Sequence, residues 1–298
     1  MNMNKEAQAR DIIKGLGFEV GSSEVLSGGY SGSTIVRVGD FVVRFWNMKW
    51  KDDFAQDLAC QKIAGEAGYG PKVFHYDEEH GITVMEYLKH ERVESLLESV
   101  VELVKRIHEG PQVPAGIDRS KYLDELFQEF EGKRGELKLL REIKDQVFES
   151  VGKKVTKVPC HRDLHFGNLI FNKGRFKAID YTWGAMDDAY ADLAAVALFA
   201  CKDRADENKL LQLYLQREAT SEEKARLSLM KIPTKIFYGL EFLGLSKDRM
   251  YSKPICYKDF GKRDVSDTAE LRGYSNALLN EVLEYAASHQ FQDDLHTI

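Results

Sequence analysis

The apolar residues of this chain change their spacing near residue 88, and no other feature limits its architecture as much. Up to that point β-branched and aromatic residues fall in short runs at 25–26, 34–38, 41–46, 73–76 and 82–86. Turn residues separate the runs, Gly39-Asp40 most tightly, so they read as strands of an antiparallel meander. A short amphipathic helix over 4–16, stopped by Gly15 and Gly17, precedes them. A helix over 52–67 interrupts them and ends before Gly68-Tyr69-Gly70-Pro71. Beyond residue 88 the period is helical. Val93, Leu96, Leu97, Val100, Val101, Val104 and Ile107 line one face of a helix running from 91 to 108. Tyr122, Leu123, Leu126, Phe127 and Phe130 begin a second helical region that continues toward Val147. The Ala-rich segment 193–201 reads as a buried helix, and Thr220 with Glu223 has the spacing of a capping box opening another. The expected fold is α+β in two lobes, a β-rich N-lobe over 1–88 and a mainly helical C-lobe over 89–298.

Hydrophobic residues make up 43% of the 298, enough for a core that needs no disulfide or metal staple. Cys60, Cys160, Cys201 and Cys256 are scattered without a CxxC pair, which argues against a zinc or disulfide framework and fits a reducing compartment. A net charge of -6 lacks the basic surplus of a sequence-independent nucleic-acid binder. No run approaches the roughly 20 apolar residues of a membrane span, and the charged N-terminus does not read as a signal peptide. A cytoplasmic protein is expected.

The chemistry is concentrated in Cys160-His161-Arg162-Asp163-Leu164-His165-Phe166-Gly167-Asn168, followed by Ala178-Ile179-Asp180. This meets the pattern H-R-D-L-x-x-x-N without a substitution. Phosphoryl transfer requires a carboxylate facing the attacking hydroxyl, and Asp163 takes that catalytic role. An amide five residues on, Asn168, and a second carboxylate, Asp180, would reach Mg²⁺. The hairpin Asn172-Lys173-Gly174-Arg175 lies between them and would return Asp180 beside Asn168.

Three further features follow in the order an ATP site needs. Ser27, Gly28, Gly29, Ser31 and Gly32 form a glycine-rich hairpin tip whose amides and hydroxyls could meet phosphates. Alternation along 41–46 puts Phe41, Val43 and Phe45 on one face and Val42, Arg44 and Trp46 on the other. Arg44 is then the cation for the α- and β-phosphates, anchored by Asp57 on the next helix in preference to Glu66, which lies near that helix's end. Glu86-Tyr87-Leu88 ends the last N-lobe strand, where backbone groups of Glu86 and Leu88 could bond an adenine edge.

With these residues assembled, the chain resembles the aminoglycoside phosphotransferase and choline kinase superfamily from about Ser22 to Leu245. Asp188-Ala189-Tyr190-Ala191-Asp192-Leu193-Ala194 looks like the family's D-P-x-x-D-L-A segment, with Ala189 where proline is common. The stretches 70–77 and 82–87, and Arg44 itself, are most similar to bacterial choline (ethanolamine) kinases. The resemblance implies a bilobal protein-kinase-like fold and Asp192 as a brace for the catalytic loop, with His108 structural. It implies transfer of the ATP γ-phosphate to a hydroxyl of an amino alcohol such as choline or ethanolamine. Asp180-Tyr181-Thr182 replaces D-F-G and no A-P-E follows, which argues against a protein kinase. Tyr181 and Trp183 could shape the substrate pocket or pack under the loop. Where the choline branch carries tryptophans, residues 236–242 offer Phe237, Tyr238, Glu241 and Phe242, so Tyr238 and Glu241, with Asp187, are candidate substrate residues. Aromatic faces suit a quaternary ammonium, whereas a carboxylate suits a primary or secondary amine. Asp187, Asp188 and Glu241 could equally serve an aminoglycoside, and a nucleotide-binding pseudokinase is a third reading. The expected partner is a small amine-bearing hydroxyl compound, and the expected state a monomer or homodimer. The basic stretch 253–263 lies outside the resemblance and could form a cap or loop before a closing helix near 275–287.

Overall fold

The computed structural model of the protein describes residues 2–26, 32–93, 96–132, 134–152, 155–246 and 268–298. Its N-terminal part is one antiparallel sheet of β1 (Ser23–Leu26), β2 (Thr34–Val38), β3 (Phe41–Phe45), β4 (Val73–Asp77) and β5 (Ile82–Glu86). The strands lie in the order β1-β2-β3-β5-β4. Helix α1 (Asn2–Gly15) covers one face, where Ala9 and Ile13 pack with Val36, Val38, Val43, Phe45, Ile82 and Val84. Helix α2 (Lys51–Ala67) lies on the other side, with Phe54 and Leu58 against Trp46. The alternation along β3 therefore has a physical outcome. Val43 and Phe45 enter the apolar layer under α1, and Arg44 faces away from it with its guanidinium 3.7 Å from the centre of the Trp46 ring. Helix α2 stops at Gly68, whose left-handed φ of 80° few other residues adopt without strain.

From residue 96 the chain is mostly helical. Helices α3 (Leu96–His108), α4 (Arg119–Glu129) and α5 (Leu137–Val151) lead to strand β6 (Lys157–Cys160). Then come β7 (Leu169–Asn172), β8 (Arg175–Ala178) and β9 (Ala185–Asp188), followed by α6 (Ala189–Ala200) and α7 (Arg204–Leu215). The chain ends with α8 (Ser221–Leu245), α9 (Thr268–Ala286) and α10 (His289–Thr297). Two short ribbons, β6 with β9 and β7 with β8, stand near the start of α6. Helix α8 is central and packs on α5, α6, α9 and α10. It opens with the expected capping box, the Thr220 hydroxyl accepting the Glu223 amide and the Glu223 carboxylate accepting the Thr220 amide. Helix α6 is buried from Tyr190 to Phe199, which is why its composition is almost wholly apolar.

Three expectations need correction. The region from Tyr122 toward Val147 is two helices, α4 ending at Glu129 and α5 beginning at Leu137, with Gly132 at a φ of 76° between them. The helix expected from 91 is described from Leu96, and Val93 packs on the core from outside it. The closing helix extends earlier than expected, from Thr268, while the basic stretch 253–263 lies outside the described residues.

Candidate active site

Strand β6 delivers His161, Arg162 and Asp163 to the edge of the helical part, and α6 holds them there. Asp192, fully buried on α6, accepts the His161 amide at 2.9 Å and the Arg162 amide at 2.6 Å. These bonds fix Arg162 at a φ of 66°, a left-handed conformation that a side chain makes costly. His108 Nε2 lies 3.1 Å from Oδ2, the oxygen that also accepts the His161 amide, and His108 Nδ1 lies 2.9 Å from the Tyr214 hydroxyl. Burial alone would raise the Asp192 carboxyl, but its bonds and charge contacts with His108 and His161 outweigh that and hold it below its ordinary value. Cys160 is buried beside this pair, and burial pushes its thiol well up, so it serves as packing. The loop is thus braced from inside, as the resemblance implied for Asp192 and His108.

Asp163 is held at both oxygens. Asn168 Nδ2 donates to Oδ2 at 2.8 Å and to the Asp163 carbonyl at 3.0 Å, and the Tyr238 hydroxyl of α8 donates to Oδ1 at 2.7 Å. Each carboxylate oxygen keeps a second lone pair for an incoming hydroxyl. His165 Nδ1 accepts the Gly167 amide at 3.0 Å, shaping the 3-10 turn Phe166–Asn168 that aims Asn168 back at Asp163.

The hairpin β7–β8 returns the chain as expected, and the Ile179 amide donates to the Asn168 carbonyl at 3.0 Å. Asp180 follows at a φ of 62°. Its Oδ1 accepts from the Thr182 hydroxyl at 2.8 Å and lies 3.5 Å from Arg44 Nη1. Arg44 Nη1 is also 3.8 Å from Asp57 Oδ2, so the cation of β3 stands between the anchor on α2 and the acid beside the loop. Asp57 is the anchor, while Glu66 is exposed near the end of α2. Burial pushes Asp57 up to about 7, and Arg44 offsets that only in part. Asp180 goes the other way. Burial would raise it, but the Arg44 charge, the Thr182 hydroxyl and His161 together hold it below the usual carboxylate range.

The donor set suits a divalent cation that prefers oxygen. Asn168 commits its amide N–H groups to Asp163, which leaves its carbonyl oxygen as the coordinating atom. The Asp180 side chain is 36% exposed and ionised. An amide oxygen and a carboxylate are ligands of the kind magnesium takes.

The nucleotide candidates are placed unevenly. Ser27, Gly28, Gly29 and Ser31 lie outside the described residues, and Gly32 is exposed at a φ of 68° just before β2. The Glu86 side chain is paired to Lys177 at 2.9 Å. The amides of Glu86 and Tyr87 are engaged by the Lys72 and Asp40 carbonyls, both at 2.8 Å, and Leu88 is buried just after them.

Beside Asp163 a small pocket is lined by Arg119, Tyr122, Arg162, Trp183 and Phe237. Trp183 stacks near Tyr122, with ring centres 4.4 Å apart, and near Phe237 at 5.0 Å. Tyr181, by contrast, is buried against His161 and Tyr69, so the two aromatics after Asp180 divide into one that packs and one that lines the pocket. Glu241 accepts the Tyr122 hydroxyl, and burial raises its carboxyl to about 6. Asp187 lies 3.4 Å from Arg162 Nη1, which balances its charge. Asp188 is not a substrate carboxylate, because it caps α6 through the Tyr190 amide and pairs with Arg226. Arg119 and Thr234 were not among the expected site residues. Arg119 directly follows Asp118, the N-cap of α4, and nothing in its spacing marks it as part of a site.

A braced H-R-D loop, an Asn and an Asp that offer oxygens beside it, and a strand cation anchored on a helix together define a phosphotransferase of the kinase-like fold. Residues 22–227 match the phosphotransferase enzyme family known as APH, and the chain belongs to that family. No curated protein matches the sequence significantly. Among solved structures, the choline/ethanolamine kinase family protein of Mesorhizobium loti superposes with a TM-score of 0.78 at 19% identity, over 99% of this chain and 98% of that one. The choline kinase LicA of Streptococcus pneumoniae gives 0.71 at 19% identity, over 96% and 100%. APH(2")-IIa, in a ternary complex with streptomycin and ATP, gives 0.57 at 16% identity, over 80% and 91%. At these identities the likeness is one of fold. Among the described residues no helix is long and apolar enough to cross a membrane.

Proposed function

We propose that the protein transfers the γ-phosphate of ATP to a hydroxyl of a small amine-bearing alcohol. The observation that carries this reading is the Asp163 carboxylate, fixed by Asn168 at 2.8 Å and Tyr238 at 2.7 Å beside a pocket walled by Tyr122, Trp183 and Phe237. Asp163 orients the acceptor hydroxyl and takes its proton as the hydroxyl oxygen bonds the γ-phosphorus and the bond to the β,γ-bridging oxygen breaks to release ADP, and its fixed rotamer keeps that geometry. Arg44, held by Asp57, neutralises the phosphates. Asn168 and Asp180 would hold magnesium, which when bound offsets the phosphate charge. Leu88 supplies the connector amide for the base, since those of Glu86 and Tyr87 are engaged. Glu241 meets the amine, with the aromatic faces around it.

An aminoglycoside is a weaker reading. A polycation needs several available carboxylates, and Asp187 and Asp188 both stand against arginines. A pseudokinase is weaker still, because Asp163, Asn168 and Asp180 are all retained. The test is a coupled assay of ATP turnover with magnesium against choline, ethanolamine and several aminoglycosides. Stimulation by an amino alcohol supports the reading, and stimulation by aminoglycosides alone replaces it.

A further inference from the structure

Arg119 begins α4 and lines the pocket beside Asp163. Its Nη2 donates to the Thr234 hydroxyl at 2.6 Å, but its Nη1 is shielded from solvent and has no hydrogen-bond partner. A guanidinium stays charged at any ordinary pH, so an unmet N–H on it is costly to keep out of water. The neighbouring Arg162 also has a buried Nε–H without a partner, but its two terminal nitrogens are engaged. Both terminal nitrogens of Arg162 donate to the Ile117 carbonyl at 2.9 Å, and Asp187 stands 3.4 Å from one of them. Two guanidiniums therefore line this wall of the pocket; Asp187 contacts Arg162 and its charge also acts on Arg119, whose Nη1 still lacks a hydrogen-bond acceptor.

Helix α8 sets the distances. Thr234, which holds Arg119, and Tyr238, which holds Asp163, are four residues apart and share a face, about 6 Å along the axis. Phe237 and Glu241 form the adjacent pair on the same helix. The α8 residues that hold Arg119 and Asp163 are thus one turn apart, with Phe237 and Glu241 beside them on the same helix.

We propose that the acceptor is a small zwitterionic hydroxy acid, with its carboxylate on Arg119 Nη1, its hydroxyl on Asp163 and its ammonium group toward Glu241. This rests on the kinase reading for the hydroxyl and narrows it, since choline and ethanolamine have no group for Arg119.

Three pairs of probes differ only by a carboxylate: serine and ethanolamine, homoserine and 3-aminopropan-1-ol, carnitine and β-methylcholine. Binding of each is measured by calorimetry to the full chain loaded with magnesium and a non-hydrolysable ATP analogue, and turnover is measured with ATP. In at least one pair the acid binds about tenfold to a hundredfold more tightly than its partner. Arg119→Met brings that ratio toward one, and Arg119→Lys restores part of it. Each ratio is read within one preparation, so loss of folded protein cancels. Acids that bind no better than their partners in all three pairs, or not at all, overturn the proposal, as does a ratio that Arg119→Met leaves unmoved. Turnover of the decarboxylated partners alone overturns it while keeping the kinase reading. Arg119-dependent acid binding without any transfer keeps the carboxylate subsite and contradicts the kinase reading.

Discussion

The Tyr238 hydroxyl donates to Oδ1 of Asp163 at 2.7 Å, so a residue of α8 fixes the carboxylate that we propose faces the acceptor. The same tyrosine is buried and packs against Phe199 and Phe237, which leaves its ring little freedom. Tyr238→Phe keeps that packing and removes only the bond. It should lower kcat about tenfold, as loss of one positioning hydrogen bond does, with nucleotide affinity unchanged. Steady-state kinetics and nucleotide titration check this, and an unaltered kcat would show that Asp163 does not depend on Tyr238.

Asp192 supports the loop electrostatically, and its effect should depend on pH in a definite direction. Its carboxyl is held below the ordinary value in the folded chain. The stability it contributes is therefore full above the unfolded value of about 3.9 and is lost as the pH falls through the depressed folded value. Asp192→Asn should cost about 3 kcal/mol at neutral pH, because the His108 contact and the two loop amides lose their anion. Denaturant unfolding at pH 7 and at pH 3 should show the gap between variant and parent narrowing in acid. A gap independent of pH would mean that Asp192 acts by shape alone.

Glu241 gives a pH dependence of binding rather than of stability, in a higher pH range. Burial, with Asp163, Glu129 and Asp53 nearby, raises its carboxyl to about 6 against the opposing Tyr122 bond. It is neutral below that value and anionic above it, whereas an alkylammonium is charged throughout. Affinity for an amine-bearing acceptor should rise as the pH passes upward through about 6, and Glu241→Gln should flatten that rise. Acceptor KM measured between pH 5 and 8 decides it, and an equal rise in the variant assigns the titration elsewhere.

The parts of this site that could be read in the sequence are those carried by short, local patterns. The loop from His161 to Asn168 and the return to Asp180 are close along the chain, so spacing alone implied their meeting. Arg44 was visible because a lone cation in an apolar strand must face away from the core, and α2 offered Asp57 at the right turn. The family match over 22–227 and the kinase-like fold agree with the resemblance drawn from those motifs. The acceptor pocket was harder, since Arg119, Trp183 and Thr234 converge from three separate segments. The break between α4 and α5 was missed because apolar residues keep a helical spacing on both sides of Gly132. Asp188 was misread as available because its partner, Arg226, lies 38 positions away on α8.

The most direct test of the central claim is acceptor-dependent ATP turnover by Asp163→Asn beside the parent chain, with magnesium and the best acceptor found. Asn preserves the shape and can still accept the Tyr238 hydroxyl, so the variant should fold and bind nucleotide as before. Its kcat should fall by at least about a thousandfold, because the group that orients the hydroxyl and accepts its proton is gone. A variant that turned over acceptor within a few fold of the parent would contradict Asp163 as the catalytic carboxylate and the assignment of this site with it.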